Sequence, residues 1–189
     1  MKLLEDKILK DGRVINNEIL KVDNFVNHQI DVKLMNEFAK EVRKHYKNKE
    51  VTKILTIETS GIAVAYAVSE AFNSVPVLFA KKNKSKIVDE NIYTTKVKSF
   101  TKNQVNEIMV SKEYLTENEN ILIVDDFLAE GNAGLGLIDL CQQAHANIVG
   151  FVAVIEKTFQ GGRKRIEDKG IEVFSGARIK AFKDNKPVF

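Results

Sequence analysis

The chain has 189 residues, 44% of them hydrophobic and 29% charged, which is typical of one soluble folded domain and excludes a disordered chain. Its net charge of +3 is too small to indicate a nucleic-acid partner, and no apolar run is long enough to span a bilayer. The N-terminus lacks the uninterrupted apolar core of a signal peptide, so we expect a cytoplasmic protein without a membrane partner.

The first third of the chain predicts a helix, an extended segment, a loop and a second helix. Apolar spacing indicates a short helix over residues 3–11, and residues 14–22 alternate loosely, as in an extended segment. Residues 24–31 are polar with embedded apolar anchors and are predicted to form a loop. Apolar residues recur at helical spacing over residues 31–47, where Asp31 is the predicted N-cap.

Strands and helices alternate through the rest of the chain. The predicted strands are residues 53–57, 75–80, 121–124, 148–155 and 171–174, and the predicted helices are residues 61–72, 134–146 and 163–169. The continuous apolar run at residues 121–124 is typical of a strand buried on both faces. This alternation predicts the α/β class, with a central, mainly parallel sheet flanked by helices in a single domain.

One segment interrupts the alternation. Residues 92–100 and 105–111 alternate polar and apolar side chains, and residues 101–104 join them, so we predict an inserted antiparallel hairpin. A solvated hairpin at this point would act either as a mobile lid over a site or as an edge hairpin of the main sheet. The sequence supports these two interpretations equally.

Cysteine and histidine form no familiar catalytic or metal-binding pattern in this chain. Cys141 lies on the apolar face of a predicted helix without an accompanying histidine motif, so we interpret it as a buried core residue. His28, His45 and His145 lack metal-ligand spacing, and we predict no metal site built from protein side chains alone.

The strongest functional signal is the segment ILIVDDFLAEGNAGLG, residues 121–136. A buried strand ends in Asp125 and Asp126, a loop with Gly131 follows, and a helix then begins. Ligands of parallel sheets bind beyond the carboxyl ends of the strands, where loop amides and a helix N-terminus favour phosphate. Two acids beside a phosphate cradle indicate a ligand that also carries hydroxyls, such as a phosphorylated ribose, or an indirectly held Mg²⁺. The alternative is that the acids only cap the next helix.

This segment resembles the phosphoribosyl pyrophosphate (PRPP) motif of the type I phosphoribosyltransferases: four hydrophobic residues, two acids and a short loop. The segments ILKVDNFVNHQID, TIETSGIA, FAKKNKS, KSFTK and VIEKTFQ are similar to those of the bacterial xanthine phosphoribosyltransferase family, in the same order. The resemblance covers nearly the whole chain. It implies the type I fold, with a hood formed by about residues 1–35 plus the C-terminal segment, and a flap at about residues 92–111.

The resemblance also implies an activity: transfer of phosphoribosyl from PRPP to xanthine in purine salvage, with Mg²⁺ bound together with PRPP, in a homodimer. The implied residues for catalysis at the ribose and leaving group are Asp125, Asp126, Lys81 and Lys82; for the 5-phosphate, Ala129, Glu130, Gly131, Asn132 and Ala133; for pyrophosphate, Glu58, Thr59, Ser60 and Gly61; and for xanthine, Leu20, Asn27, Lys157 and Phe159.

The residues by themselves leave simpler alternatives open for several of these positions. The Thr-Ser-Gly segment that starts at Thr59 is also a common helix start, and Phe159 alone would be interpreted as a core residue. Lys81 and Lys82 also fit a solvated basic turn together with Lys84 and Lys86.

The predicted 5-phosphate loop departs from the family at two positions. Glu130 stands where the general motif has a hydroxyl residue and the xanthine enzymes have Asn, and Asn132 stands where relatives often have Gln. A carboxylate beside a phosphate weakens binding unless it turns away. Either the loop binds through its backbone N–H groups with the Glu130 side chain in solvent, or the 5-phosphate site is weakened.

Two other functions compete with xanthine transfer. A guanine or hypoxanthine phosphoribosyltransferase would share the motif, because one carbonyl contact decides the base. A non-catalytic, PRPP-sensing regulator would share the fold, but the known regulators carry an added N-terminal DNA-binding domain. Here about fifty residues precede the first predicted sheet strand, and the implied hood accounts for them.

Overall fold

The structure is a computed structural model that describes residues 1–82, 91–98 and 105–189. Its helices are α1 (Lys2–Asp11), α2 (Val32–His45), α3 (Gly61–Ala71), α4 (Asn132–Gln143) and α5 (Gly162–Glu167). Its strands are β1 (Arg13–Ile15), β2 (Ile19–Lys21), β3 (Lys53–Ile57), β4 (Val77–Ala80), β5 (Ile92–Lys98), β6 (Val105–Ser111), β7 (Asn120–Leu128), β8 (Asn147–Lys157), β9 (Val173–Ile179), β10 (Ala181–Lys183) and β11 (Lys186–Val188).

Five strands form a sheet in the order β4-β3-β7-β8-β9, and every neighbouring pair is parallel. The predicted α/β fold with a central parallel sheet is therefore confirmed. The chain enters at β3, adds β4 on one side, and then crosses to β7 on the other side. This reversal between β3 and β7 opens a crevice at the carboxyl ends of the two strands, where ligands of such sheets bind.

The apolar run of β7 faces two hydrophobic layers. Leu122 and Val124 belong to the core beneath α2 and α3, whereas Ile121 and Ile123 belong to the core beneath α4. Successive side chains of a strand point to opposite faces, so a continuous apolar run satisfies both layers at once. Cys141 lies fully buried in the second layer, where burial raises the pKa of its thiol to about 12, as expected for a core residue.

The central strands β7 and β8 extend further than their apolar runs. β7 continues to Leu128 and β8 continues to Lys157, and the two remain paired at Leu128 and Glu156. The backbone ladder continues although the side chains turn polar. Asp125 and Asp126 therefore lie within a strand, and its hydrogen bonds fix their position.

The terminal segments differ most from expectation. Residues 14–22 contain the antiparallel hairpin β1–β2, and the predicted loop at residues 24–31 overlaps a π-helical turn, Asp23–Asn27. The prediction of Asp31 as the N-cap of α2 is confirmed, since its side chain accepts the Leu34 N–H at 3.0 Å. A second hairpin, β10–β11, follows the main sheet and is absent from the predicted elements.

The predicted inserted hairpin is present as the antiparallel pair β5–β6. Reciprocal backbone hydrogen bonds between Lys81 and Met109, 2.9 and 3.0 Å long, attach it to the edge beyond β4. A Cβ placed on Gly136 of α4 would meet Val97 and Ile108 of the hairpin, so the two elements are in close contact. The joining residues 101–104, together with Lys84, Lys86 and Phe100, lie outside the described residues. Whether the hairpin acts as a lid stays a prediction.

Across residues 1–82, 91–98 and 105–189, no helix combines the length and the apolar character that a membrane-spanning helix requires.

Candidate active site

A cleft of about 690 Å³ lies at the carboxyl ends of the parallel strands, within the size range of small-molecule sites. The structure brings most of the predicted site residues into its lining: Leu20, Asn27, Glu58, Ser60, Lys82, Asp125, Asp126, Ala129, Glu130, Gly131, Asn132, Ala133 and Lys157. Thr59, Gly61, Lys81 and Phe159 are not among the residues that line the cleft. The flap hairpin adds four lining residues that the sequence did not single out, namely Val97, Lys98, Asn106 and Ile108.

Asp125 and Asp126, the acid pair, are nearly buried within the second half of β7, with 6% and 8% of their surface exposed. The Asp126 N–H donates to Asp125 Oδ1 at 2.9 Å, and the Phe127 N–H donates to Asp126 Oδ1 at 3.0 Å. Burial, and then the neighbouring Asp126 carboxylate, hold the pKa of Asp125 well above its usual range, while Lys82 acts in the opposite direction. Placing two carboxylates here costs stability, and a ligand with hydroxyl donors or an associated cation would offset that cost.

Residues 129–133, the phosphate loop, comprise the connection after β7 and the first two residues of helix α4. Gly131 adopts a left-handed conformation with φ of 80°, and α4 begins at the next residue, Asn132, two residues earlier than predicted. The first turn of a helix leaves its N–H groups without backbone partners, and the helix dipole favours an anion there. Loop amides and helix start together form a suitable phosphate cradle.

Glu130 is neither free in solvent nor turned into the core. Its Oε2 accepts a hydrogen bond from Asn132 Nδ2 at 3.0 Å, and its side chain is partly exposed. Asn132 Oδ1 in turn accepts from Arg165 Nη1 at 2.8 Å, and the same nitrogen donates to the Glu130 carbonyl at 2.6 Å. Glu130 and Asn132, the two residues that differ from the family motif, are thus hydrogen-bonded to each other, and Arg165 of α5 donates hydrogen bonds to both.

Replacing Arg165 with alanine should weaken binding of ribose 5-phosphate by about 3- to 10-fold, because the phosphate loop loses two hydrogen bonds to a charged donor. Titration calorimetry with the folded variant measures this change. The matched control is Lys164→Ala, since Lys164 pairs with Asp168 on the exposed side of the same helix. Equal affinities for wild type and Arg165→Ala would show that the loop needs no support from α5.

Helix α5 also packs directly against the backbone of the phosphate loop. The Gly162 N–H donates to the Ala129 carbonyl at 3.0 Å. A Cβ on Gly162 would lie 2.7 Å from Gly131 N and 2.9 Å from Glu130 C, so a larger residue there would force the loop backbone or α5 to shift. Sequence reasoning missed both Arg165 and Gly162, because the Gly161–Gly162 dipeptide indicates only a turn and Arg165 is one of many basic residues.

The loop between β3 and α3 carries Glu58, Thr59, Ser60 and Gly61. The Glu58 carboxylate accepts the Lys82 N–H at 3.1 Å, and the peptide bond between Glu58 and Thr59 is cis. Ser60 precedes α3 without making a side-chain capping hydrogen bond, so the simple N-cap interpretation of this segment finds no support. A Cβ on Gly61 would collide with Thr56 Oγ1 and lie 3.2 Å from Asp125 Oδ1, so a larger residue there would force these side chains to shift.

Asn27 and Lys157, two of the residues predicted to bind the base, both line the cleft. Asn27 Nδ2 donates to Asp126 Oδ2 at 3.4 Å, and its buried Oδ1 has no hydrogen-bond partner among the described residues. Lys157 Nζ donates to the Glu18 carbonyl at 3.1 Å, and burial lowers the pKa of this lysine. A cleft lined by an orphaned acceptor and a buried cation is suited to a ligand with both N–H and carbonyl groups.

The neighbourhood of Lys157 contains two further features. Glu156, only 1% exposed, accepts hydrogen bonds from Arg163 at 2.7 to 3.1 Å; burial alone would raise the pKa of Glu156, but hydrogen bonds from Arg163 and Ser175 lower it overall. Phe159 is 49% exposed and contacts Phe182 edge-on, with ring centroids 5.6 Å apart. The side chain of Phe159 is therefore not in the core, and its predicted stacking on the base stays a prediction.

Comparison with known proteins agrees with this geometry. Residues 21–182 match the family model described as "Phosphoribosyl transferase domain". A xanthine phosphoribosyltransferase of Clostridium tetani is 53% identical over 189 residues, covering 100% of both chains, and one of Lacticaseibacillus casei is 49% identical over 100% of this chain and 98% of its own. An adenine phosphoribosyltransferase of Rhodothermus marinus is 17% identical with a TM-score of 0.74, covering 95% of this chain and 100% of that one. That structure supports the fold alone. On the family model and the full-length relatives together, the chain belongs to the phosphoribosyltransferase family.

Proposed function

We propose that the protein is a xanthine phosphoribosyltransferase, a pentosyltransferase that converts xanthine and PRPP to xanthosine monophosphate and pyrophosphate. The observation that carries the proposal is that one cleft unites three features: a phosphate loop, a buried acid pair and a base-facing amide–lysine pair. Relatives with this name at about half identity over the full chain support the choice of substrate.

In this reaction a ring nitrogen of the purine forms a bond to ribose C1 as the bond from C1 to the pyrophosphate oxygen breaks. Pyrophosphate leaves with the bonding electrons, and the purine nitrogen loses its proton. The transition state has oxocarbenium character, so positioning and stabilisation of the leaving group are the main tasks of the protein. No covalent nucleophile is required.

The polar residues of the cleft divide these tasks between them. The acid pair would accept hydrogen bonds from the ribose hydroxyls, and the phosphate loop would hold the 5-phosphate. The loop between β3 and α3 would bind the pyrophosphate through Glu58, Thr59, Ser60 and Gly61. Lys82, which lines the cleft, would neutralise charge on the leaving group. Lys81 is exposed outside the lining, so its assignment to the leaving group is the weaker of the two lysine assignments.

Mg²⁺ fits this site as a substrate-borne ion. The described residues contain no group of three or more His, Cys, Asp or Glu side chains placed to hold a metal. Mg²⁺ commonly binds through one or two carboxylates together with substrate phosphates, and Asp125 and Asp126 provide such a pair beside the cleft. When bound with PRPP, the ion would neutralise charge on the pyrophosphate.

The base-facing residues favour an oxopurine. A lysine ammonium only donates hydrogen bonds, so Lys157 is suited to an exocyclic oxygen, whereas the orphaned Oδ1 of Asn27 is suited to a ring N–H. Xanthine offers two exocyclic oxygens and several N–H groups. Guanine and hypoxanthine offer one oxygen each, and they remain the alternative substrates. Leu20 would contact the base from the hood.

The deciding experiment mixes the protein, Mg²⁺ and PRPP with xanthine, guanine or hypoxanthine in separate reactions and follows nucleotide formation by chromatography. We expect the highest kcat/KM with xanthine. A higher kcat/KM with guanine or hypoxanthine would contradict the xanthine assignment. No nucleotide from any base, combined with tight PRPP binding, would favour the PRPP-sensing regulator.

Three further statements belong to the proposal because the family implies them: a role in purine salvage, a cytoplasmic location and a homodimeric assembly.

A further inference from the structure

The two terminal hairpins meet at their turns. The N-terminal hairpin, β1–β2, turns through Asn16 and Asn17, and the C-terminal hairpin, β10–β11, turns through Asp184 and Asn185. All four turn residues have φ between 50° and 54°, a left-handed conformation that Asn and Asp adopt more readily than most residues.

Asn17 and Asn185 hydrogen-bond to each other reciprocally. The Asn17 N–H donates to Asn185 Oδ1 at 3.0 Å, and the Asn185 N–H donates to Asn17 Oδ1 at 2.7 Å. The residues are 168 positions apart in the chain, so this pair connects its two ends. We call it the asparagine clasp. Each side chain uses its oxygen in the clasp, and each backbone conformation presents its N–H to the partner.

Both hairpins also converge on Lys157. The N-terminal turn places the Glu18 carbonyl 3.1 Å from Lys157 Nζ, and the following Ile19 and Leu20 line the cleft. The C-terminal hairpin places the Phe182 ring beneath the same ammonium, with Nζ 5.6 Å from the ring centroid. The Lys157 side chain therefore contacts both hairpins, and the clasp joins the turns of these hairpins.

We propose that Asn17 and Asn185 are positioning residues for the base: the clasp locks the two terminal hairpins together and thereby orients Lys157 toward the exocyclic oxygen of the purine. Neither asparagine lines the cleft, so each acts through Glu18, Phe182 and Lys157. The inference rests on the proposed function and extends it by naming what holds the base-binding lysine in place.

The main test variant is Asn185→Gly, because glycine retains the positive φ and removes only the side-chain acceptor. Asn185→Asp is the rescue variant, since its carboxylate oxygen still accepts the Asn17 N–H and aspartate tolerates the turn conformation. Asn17→Gly breaks the other bond of the clasp and serves as an independent second variant. Asn118→Gly is the matched control, because Asn118 is exposed, has φ of 66° and lies far from either hairpin in sequence.

The clasp hydrogen bonds are exposed to solvent, so their loss should produce a moderate effect that is specific to the base. Asn185→Gly and Asn17→Gly should each raise KM for xanthine by about 3- to 10-fold, while kcat and KM for PRPP change by less than about twofold. Amide hydrogen exchange over residues 13–21 should accelerate in Asn185→Gly. Asn185→Asp should restore both quantities, and Asn118→Gly should change neither.

Two outcomes would overturn the inference. Unchanged exchange over residues 13–21 in Asn185→Gly would show that the hairpins are not coupled. An equal rise in KM for xanthine and PRPP would show a general structural role instead of positioning of the base. A wild-type protein that forms no nucleotide from any base would contradict the proposed function, and the exchange measurement would still decide whether the clasp couples the hairpins.

Discussion

Asp125→Asn should lower kcat/KM by about 10- to 100-fold and at the same time stabilise the free protein at neutral pH. The value of kcat/KM falls because an amide oxygen accepts a hydrogen bond from the ribose hydroxyl less strongly than a carboxylate oxygen does. Stability rises because asparagine removes a buried charge that lies against Asp126, the arrangement that raises the pKa of Asp125. Steady-state kinetics and urea unfolding of the ligand-free protein measure the two effects.

The stability effect has a defined pH dependence. The folded-state pKa of Asp125 lies above its ordinary value of 3.8, so between these two values the folded chain binds more protons than the unfolded chain. Stability of the wild type should therefore fall as the pH rises through this window, and this fall should be absent in Asp125→Asn. Near the ordinary pKa of aspartate the two proteins should be nearly equal in stability, and they should diverge as the pH rises above it.

Asp168→Asn is the control for the acid-pair prediction, because Asp168 is an exposed partner of Lys164 and its loss should change stability little. Turnover of Asp125→Asn close to that of the wild type would contradict the assignment of Asp125 to the ribose. A decrease in stability at every pH would contradict the view that the acid pair is held at a cost for function.

Gly162→Ala should raise KM for PRPP by about tenfold or more and destabilise the fold by about 1–3 kcal/mol. Its Cβ would press on three backbone groups of the phosphate loop, at Ala129, Glu130 and Gly131. Backbone atoms cannot rotate away as a flexible side chain can, so either the loop or the start of α5 must move. Kinetics at varied PRPP concentration and urea unfolding measure the two effects.

The neighbouring glycine provides a sharp control. Gly161 has φ of 75°, and a Cβ there would have no other atom within 4 Å. Gly161→Ala should therefore cost about 1–2 kcal/mol of stability through backbone strain, with little change in KM for PRPP. Similar KM values for PRPP in the two variants would indicate that α5 affects the phosphate loop only through overall stability.

The placement of Asp125, Asp126 and residues 129–133 at the ligand edge of the sheet was predictable because its signal is local. A buried apolar strand, two acids and a glycine loop occur in one continuous segment of 16 residues, 121–136, and the rules for parallel sheets place that segment at the ligand edge. The alternation of strands and helices was predictable for the same reason, since the need to bury both faces of a strand is visible in its residues.

Some features that the prediction missed had a signal in the sequence. Asp and Asn favour the positive-φ positions of two-residue hairpin turns, so Asp184–Asn185 between two short segments was a signal for β10–β11. The ends of β7 and β8 were missed because polar side chains interrupt the apolar pattern where the backbone ladder continues. The alternation of apolar and polar side chains indicates which residues are buried, whereas the end of a strand is defined by its backbone hydrogen bonds to the neighbouring strand.

The sequence by itself determined the parallel sheet, the acid pair and the phosphate loop, because each depends on residues that are neighbours in the chain. Only the tertiary structure decided how these parts are held: Arg165 reaches Glu130 across 35 positions, and Asn17 reaches Asn185 across 168. It also decided that Phe159 lies outside the cleft lining and that Glu130 is bonded within its own loop. Such contacts arise from packing between distant segments, and no periodicity or local motif records them.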